Sequence, residues 1–256
     1  IISANDAAAQ IAEHVGGTEQ NFIDMMNQRA AEIGCTNTHF TNSSGLPDEN
    51  HYSSAKDMAL IFREGLKNKD FRSVLGDADY TIQPTNMTSD KRVMHTHHPM
   101  FAPESDIYYP GCIGGKTGFT NLAAHTLVTA VEQNGTTYIA VVMHGVELST
   151  CCLDSKALFD YGFGNFTKTA VDGGSAILPK GMDVNVLTTK SESSNGKIET
   201  VYYAGDHQVG TSTVDEMAAT ATPTPETAAS ETTGDTLDQS GESDNADISG
   251  TSSSEV

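Results

Sequence analysis

Gly114-Gly115-Lys116-Thr117-Gly118-Phe119-Thr120, followed by His125-Thr-Leu-Val-Thr-Ala-Val-Glu132, Asn134-Gly135 and Thr136-Thr-Tyr-Ile-Ala-Val-Val-Met-His144, decides the fold. Two β-rich runs joined around Asn-Gly read as a hairpin, because both turn residues tolerate positive φ. Lys116 precedes the hairpin closely enough to sit on a neighbouring strand. Downstream, Ser149 to Phe163 reads as a helix whose buried stripe is Leu153, Ala157, Leu158 and Tyr161. Upstream, a helix runs from about Ser54 to Lys67 with Met58, Ile61, Phe62 and Leu66 on one side. Helices on both sides of a short antiparallel sheet predict an α+β domain.

The beginning of the chain is helical in pattern. Ala4 to Val15 is Ala-rich, Gly16-Gly17 interrupts it, and Thr18 caps a second helix that ends near Ile33. Phe22, Met26, Arg29, Ala30 and Ile33 share one mostly apolar face of that helix. A turn-rich run, Asn42 to Asp48, separates it from the Ser54 helix, where Ser54 and Asp57 form a capping box. After Phe166, short β-like runs with turns at Pro179-Lys-Gly181 and Asn195-Gly196 predict a small β-rich module over residues 167–214. Residues 215–256 hold ten of the chain's 34 acidic side chains, no Lys or Arg, and almost no large apolar residue. Such a composition cannot offset the entropy of ordering, so a disordered acidic Ser/Thr-rich linker is expected there.

Charge and cysteine usage exclude several classes. A net charge of -20 repels nucleic acid, although half of it belongs to the last segment. Cys35, Cys112, Cys151 and Cys152 form no Cys-x-x-Cys pair and carry no metal signal. There is no run of about 18 apolar residues. The sequence starts at Ile1 without Met or a charged-then-apolar leader, which suggests a mature fragment or a missing N-terminal part.

Gly114 to Gly118 is the most distinctive short segment. Glycines around a Lys-Thr pair let a ligand or another backbone approach closely, while the ammonium and hydroxyl suit a carboxylate. A phosphate-binding loop is excluded by spacing, since Pro110 stands where that motif needs its first glycine. Ser3-Ala4-Asn5 has two compatible readings: Ser3 with Asp6 is a capping-box signature, and a serine at a helix entry can also face a cleft. The segment His95-Thr-His-His98 lacks His-Glu-x-x-His or a placed acidic ligand, so it reads as a surface loop and no metal is expected.

Read together, Ser-x-Asn at the head of an Ala-rich helical hairpin and Lys-Thr-Gly 113 positions later resemble the penicillin-recognising serine enzymes. Within that group the sequence is similar to the low-molecular-mass D-alanyl-D-alanine carboxypeptidases. The similar segments, in family order, are Asn5-Asp-Ala-Ala, Met26-Asn-Gln, Asn37-Thr-His-Phe, Gly45-Leu-Pro-Asp, His51-Tyr-Ser, Asp57-Met-Ala, Gly114 to Thr120 and Asp160-Tyr-Gly-Phe163. They cover about residues 1–166, which the resemblance makes a partial β-lactamase/transpeptidase-like domain. It implies a hydrolase of cell-wall biogenesis that removes the terminal D-alanine of peptidoglycan stem peptides through an acyl-enzyme, without a cofactor. It also implies β-lactams as covalent inhibitors, an extracytoplasmic location and a possible membrane anchor outside this chain.

Carried over residue by residue, the resemblance makes Ser3 a proton relay toward the leaving D-alanine and Asn5 a partner of the substrate amide. Lys116 and Thr117 bind the terminal carboxylate, Gly118 lets the strand lie against the substrate, and the Phe119 N–H is an oxyanion donor. The family's Ser-x-x-Lys nucleophile segment, which precedes Ser-x-Asn, has no counterpart in this chain. Ser53-Ser-Ala-Lys56 matches the pattern in the wrong place, and Ser193-Ser-Asn195 imitates Ser-x-Asn beside a turn. One further departure is Ala123-Ala124, where the family usually has Ala-Gly, which questions close packing there. Alternatives are a class A-like β-lactamase, for which a placed Glu-x-x-Leu-Asn is lacking, and a non-catalytic wall-binding homologue.

Overall fold

The computed structural model describes residues 2–216, so the expected linker lies outside the described residues except for Asp215 and Glu216. Two helices, α1 (Asn5–Gly16) and α2 (Glu19–Glu32), form the first hairpin; Gly17 turns at φ 76° and the Thr18 hydroxyl accepts the Asn21 N–H at 3.1 Å. Helices α3 (Ala55–Gly65) and α4 (Lys69–Leu75) follow, then a small ribbon, β1 (Asp79–Ile82) with β2 (Arg92–His95). Strands β3 (Cys112–Thr120), β4 (Ala124–Gln133) and β5 (Thr136–Gly145) make an antiparallel sheet in that order, and α5 (Leu148–Asn165) comes next. The last sheet has the order β6-β7-β10-β9-β8, built from β6 (Phe166–Val171), β7 (Gly174–Pro179), β8 (Thr188–Ser194), β9 (Lys197–Ala204) and β10 (His207–Asp215). The α+β expectation is met, including the Asn134-Gly135 turn at φ 51° and 71°.

Strand β4 is buried along Leu127 to Val131. Successive side chains of a strand face opposite ways, so two cores form. Leu127 and Val131 pack with Met100, Tyr109, Ala140, Cys151, Cys152 and Phe159, on the side covered by α5. Val128 and Ala130 pack with Phe62 and Leu66 of the α3 region. Each large side chain fully withdrawn from water there contributes about 1.5–3 kcal/mol.

The buried stripe of α5 differs from the expected one. Leu153, Leu158 and Tyr161 are exposed, and Cys151, Cys152, Ser155 and Phe159 face the sheet. The helix carries two apolar faces, and the one with smaller residues packs close to the strands. Ser155 is tolerated there because its hydroxyl donates to the Cys151 carbonyl at 2.8 Å. The expected Ser3–Asp6 capping box is also not formed. The N-cap is Ala4, without a side-chain cap, so Ser3 lies one residue too early to reach the first helical N–H groups.

Ser54 does cap α3, accepting the Asp57 N–H at 3.1 Å, but the Asp57 carboxylate turns elsewhere. Its Oδ2 accepts the Asn37 N–H at 2.7 Å and the Thr38 hydroxyl at 2.8 Å, tying α3 to the segment after α2. Burial alone would raise the carboxyl pKa; the hydrogen bonds outweigh it and hold it below the usual range. The histidine segment is a surface loop only in part: His97 is exposed outside any strand, but the segment begins on a strand and ends in the interior. His95 ends β2 and pairs with Asp79, while His98 is buried.

The Ala123-Ala124 departure has its consequence in the backbone. Ala124 has φ 53°, a left-handed conformation that glycine adopts without a Cβ penalty. Ala124→Gly is therefore expected to stabilise the fold by about 0.5–1 kcal/mol, the relief of strain being partly offset by a freer unfolded chain; urea unfolding of the two proteins measures it. Asp57→Asn is expected to be destabilising at neutral pH. A depressed carboxyl pKa contributes stability fully above its unfolded value of about 3.9 and loses it as pH falls through the folded value. The gap between wild type and variant in urea midpoint should thus shrink below about pH 4.

Candidate active site

The outer strand β3 owes its course to its glycines. A Cβ on Gly114, whose φ is 117°, would lie 2.5 Å from the Leu75 carbonyl oxygen, and one on Gly118 would lie 2.5 Å from the Thr126 hydroxyl. At Gly115 it would strike the Val128 carbonyl and come within 2.5 Å of His98 Nε2. The register shifts between Cys112 and Gly114, and buried Thr129 donates its hydroxyl to the Gly114 carbonyl at 3.3 Å across that irregularity. With β3 thus held against α4, His98 and β4, Lys116 stands opposite Val128 and Phe119 opposite His125.

Lys116 has no carboxylate partner among the described residues; its Nζ donates to the Thr117 carbonyl. The residue as a whole is exposed, yet enough protein surrounds the ammonium that desolvation lowers its pKa. Beneath the strand, His98 is 3% exposed and neither ring nitrogen has a hydrogen-bond partner. Burial first, and then the nearby Lys116 charge, push its pKa down to about 4, so a neutral imidazole backs the lysine at neutral pH. The positive charge at this point of the strand is therefore that of Lys116.

Ser3, Asn5 and Lys116 to Thr120 line one cleft of about 910 Å³. The cleft brings together the start of α1, the outer edge of β3, the 42–46 loop and Ser53. Ser53 Oγ lies 3.0 Å from Thr38 Oγ1, whereas Lys56 lines a separate groove with Arg63 and Lys67, so Ser53 and Lys56 do not line one site. Ser193 and Asn195 belong to the β8–β9 hairpin of the last sheet.

Several lining residues escaped the sequence reading. Asn42 organises the 42–46 loop through Oδ1, which accepts the N–H groups of Ser44, Gly45 and Leu46 at 3.2, 2.7 and 3.1 Å. The turn-rich composition of Asn42 to Asp48 was the available signal, but it says nothing of where the loop docks. His97 and His125 also line the cleft, and the His125 ring stacks on Phe119 with centroids 4.5 Å apart. Their pairing follows from strand register.

What this arrangement offers chemically is an extended strand edge beside an ammonium, a hydroxyl and a Ser/Asn pair, suited to a peptide with a terminal carboxylate. A family model described as D-alanyl-D-alanine carboxypeptidase matches residues 1–147, more than half of the chain. The D-alanyl-D-alanine carboxypeptidase DacF of Bacillus subtilis is 37% identical over 167 residues, covering 65% of this chain and 41% of its own length. DacB2 of Mycobacterium tuberculosis is 36% identical over 171 residues, 64% of this chain and 55% of that protein. The crystal structure of a D-alanyl-D-alanine carboxypeptidase from Mycobacterium tuberculosis superposes with a TM-score of 0.55 at 32% identity, covering 64% of this chain and 60% of that one. The chain thus spans about half the length of the curated relatives it matches. A glycine-framed Lys-Thr on an outer strand, facing Ser-x-Asn across a cleft, occurs here within a matched family segment, and the chain belongs to the D-alanyl-D-alanine carboxypeptidase family.

Proposed function

We propose that this chain carries the substrate-binding and proton-relay part of a serine-type D-Ala-D-Ala carboxypeptidase of peptidoglycan biogenesis. The observation that supports it best is the convergence on one cleft of Ser3, Asn5, Lys116, Thr117, Gly118 and Phe119 from positions more than a hundred residues apart. In this reading Lys116 and Thr117 take the terminal carboxylate, and Asn5 holds the scissile amide. The Phe119 N–H polarises the carbonyl as negative charge develops on its oxygen.

The reaction is acyl transfer. A serine oxygen adds to the penultimate carbonyl, the C–N bond to the last D-alanine breaks, and Ser3 relays the proton that the departing amine needs. Water then hydrolyses the ester. The acylated serine and the lysine that activates it come, in this reading, from a Ser-x-x-Lys segment outside the 256 residues. β-Lactams would acylate that serine in place of the peptide.

The organisation that accompanies this function is a partial peptidase domain over residues 1–166, a small β module over 167–214 and an acidic linker over 215–256. An extracytoplasmic site at the wall or the outer face of the membrane suits such a substrate. Among the described residues no helix is long and apolar enough to cross a membrane.

Calorimetric titration with an acetylated peptide ending in D-Ala-D-Ala tests the binding half of the proposal. Lys116→Ala should weaken binding roughly 10- to 100-fold, the value of a hydrogen bond to a charged group. An unchanged affinity would remove Lys116 from the site. The chain alone should give no covalently labelled band with a fluorescent penicillin on a denaturing gel, and a labelled band would mean that it holds a nucleophile after all.

A further inference from the structure

Beneath β3 lies a side chain that the cleft does not use. His98 is buried, and both of its ring nitrogens lack a hydrogen-bond partner among the described residues. Leaving a ring nitrogen dry and unpaired is unfavourable, and an apolar side chain would fill the same space without that cost. What an imidazole adds is a nitrogen that can take up a proton.

The surroundings make that proton hard to hold while the strand is in place. Gly115 of β3 lies against the ring, since a Cβ there would come within 2.5 Å of Nε2 and 2.8 Å of Cδ2. Lys116, the next residue, acts on the ring with a positive charge, and no carboxylate is among the groups that do. From β4 and α4 the residues that close on this part of β3 are Val128 and Leu75, which carry no charge. On its own segment, His95 is taken by Asp79 and His97 is exposed. An imidazolium at this point would have two N–H groups without acceptors, a cation beside it and little access to water. Burial and Lys116 together hold the pKa down at about 4, against about 6.5 for a free imidazole.

One side of this contact has to give when the proton arrives, and the strand is the weaker one. The His98 N–H donates to the Thr96 hydroxyl at 3.3 Å, and its carbonyl accepts the Phe101 N–H at 3.1 Å. Met100, two residues on, is fully buried in the α5-side core, and its carbonyl accepts the Tyr109 N–H. β3 by contrast is paired on one side only, and Gly114, Gly115 and Gly118 bring it no side-chain packing. We propose that His98 is a positioning residue for the strand that carries Lys116 and acts only as the neutral imidazole, so that its protonation unlatches β3 and withdraws Lys116 from the cleft. This latch belongs to the strand and operates whatever ligand the cleft takes. A base whose folded pKa lies below its unfolded value contributes stability that is complete above the unfolded value and is lost as pH falls toward the folded one. Opening of β3 returns the ring to water and is therefore favoured as pH falls from about 6.5 to about 4.

Native-state hydrogen exchange of the whole chain tests the latch. After correction for intrinsic rates, the protection of the β3 amides bonded to β4 should fall about 30-fold between about pH 7.5 and about pH 5. These amides should also be less protected than those between β4 and β5, the mark of a local opening. His98→Gln and His98→Leu, neither of which titrates, should lose the pH dependence. Ring resonances of the wild-type protein decide the matter even where a variant does not fold: the His98 imidazole should stay neutral down to about pH 5. A ring that titrates near about pH 6.5, or wild-type protection that is flat over the range, would overturn the latch. So would a variant that keeps the whole pH dependence, or β3 and β5 amides that are equally protected and fall together.

Discussion

Five consecutive residues of β4, Leu127 to Val131, lie out of water, and the alternation of a strand divides them between two cores. Neither core is optional, because uncovering either face would expose large apolar side chains of the central strand. The helices α5 and α3 are thereby fixed on opposite sides of one short sheet. The outer strand β3 inherits its position from the same constraint, since every register contact it makes is with β4. Lys116 stands where it does because Val128, opposite it, is locked into the α3-side core.

That dependence explains why part of the architecture was legible in the sequence. The Asn134-Gly135 turn and the β-rich runs beside it are local signals, and the helices α1 to α3 follow from spacing and breakers that act within a few residues. The stripe of α5 was not legible, because both of its faces are apolar and the choice between them is made by the sheet. Leu153 and Tyr161 look like better core residues than Cys152 and Ser155 until the closeness of the strands favours small side chains. Asp57 reads in the sequence as part of a local cap, whereas its carboxylate serves a partner twenty residues away, at Asn37.

The site shows the same division. Lys116, Thr117 and their glycines are contiguous and were visible as a unit; Ser3 and Asn5 became meaningful only in combination with them. The loop at Asn42 to Leu46, His97 and His125 reach the cleft through tertiary packing that no spacing rule encodes. His98 is the clearest instance. Three histidines in four positions suggest a solvated loop, yet one of them fills the space that Gly115 leaves by having no side chain. A glycine beside Lys116 reads in the sequence as room for a ligand or another backbone, and at Gly115 the room is taken by an imidazole that the protein itself supplies.

Ala124 bears on how tightly this arrangement is determined. A left-handed alanine costs about 1–2 kcal/mol relative to its relaxed conformations, and such a residue persists only when its surroundings impose the geometry. Here those surroundings are the pairing of Thr120 with Ala124 and of Phe119 with His125, which close the β3–β4 turn next to the cleft. The turn also holds the Thr120 hydroxyl as acceptor of the Ala123 N–H at 2.9 Å. Register at this end of the sheet is therefore enforced by the buried strand further along, against a local conformational preference. A slip of one residue would turn every β4 side chain to the wrong core. The strain is accordingly a measure of the packing that keeps Phe119 and Lys116 in place, and it sits at the turn because the core beside Leu127 and Val128 leaves no other register available.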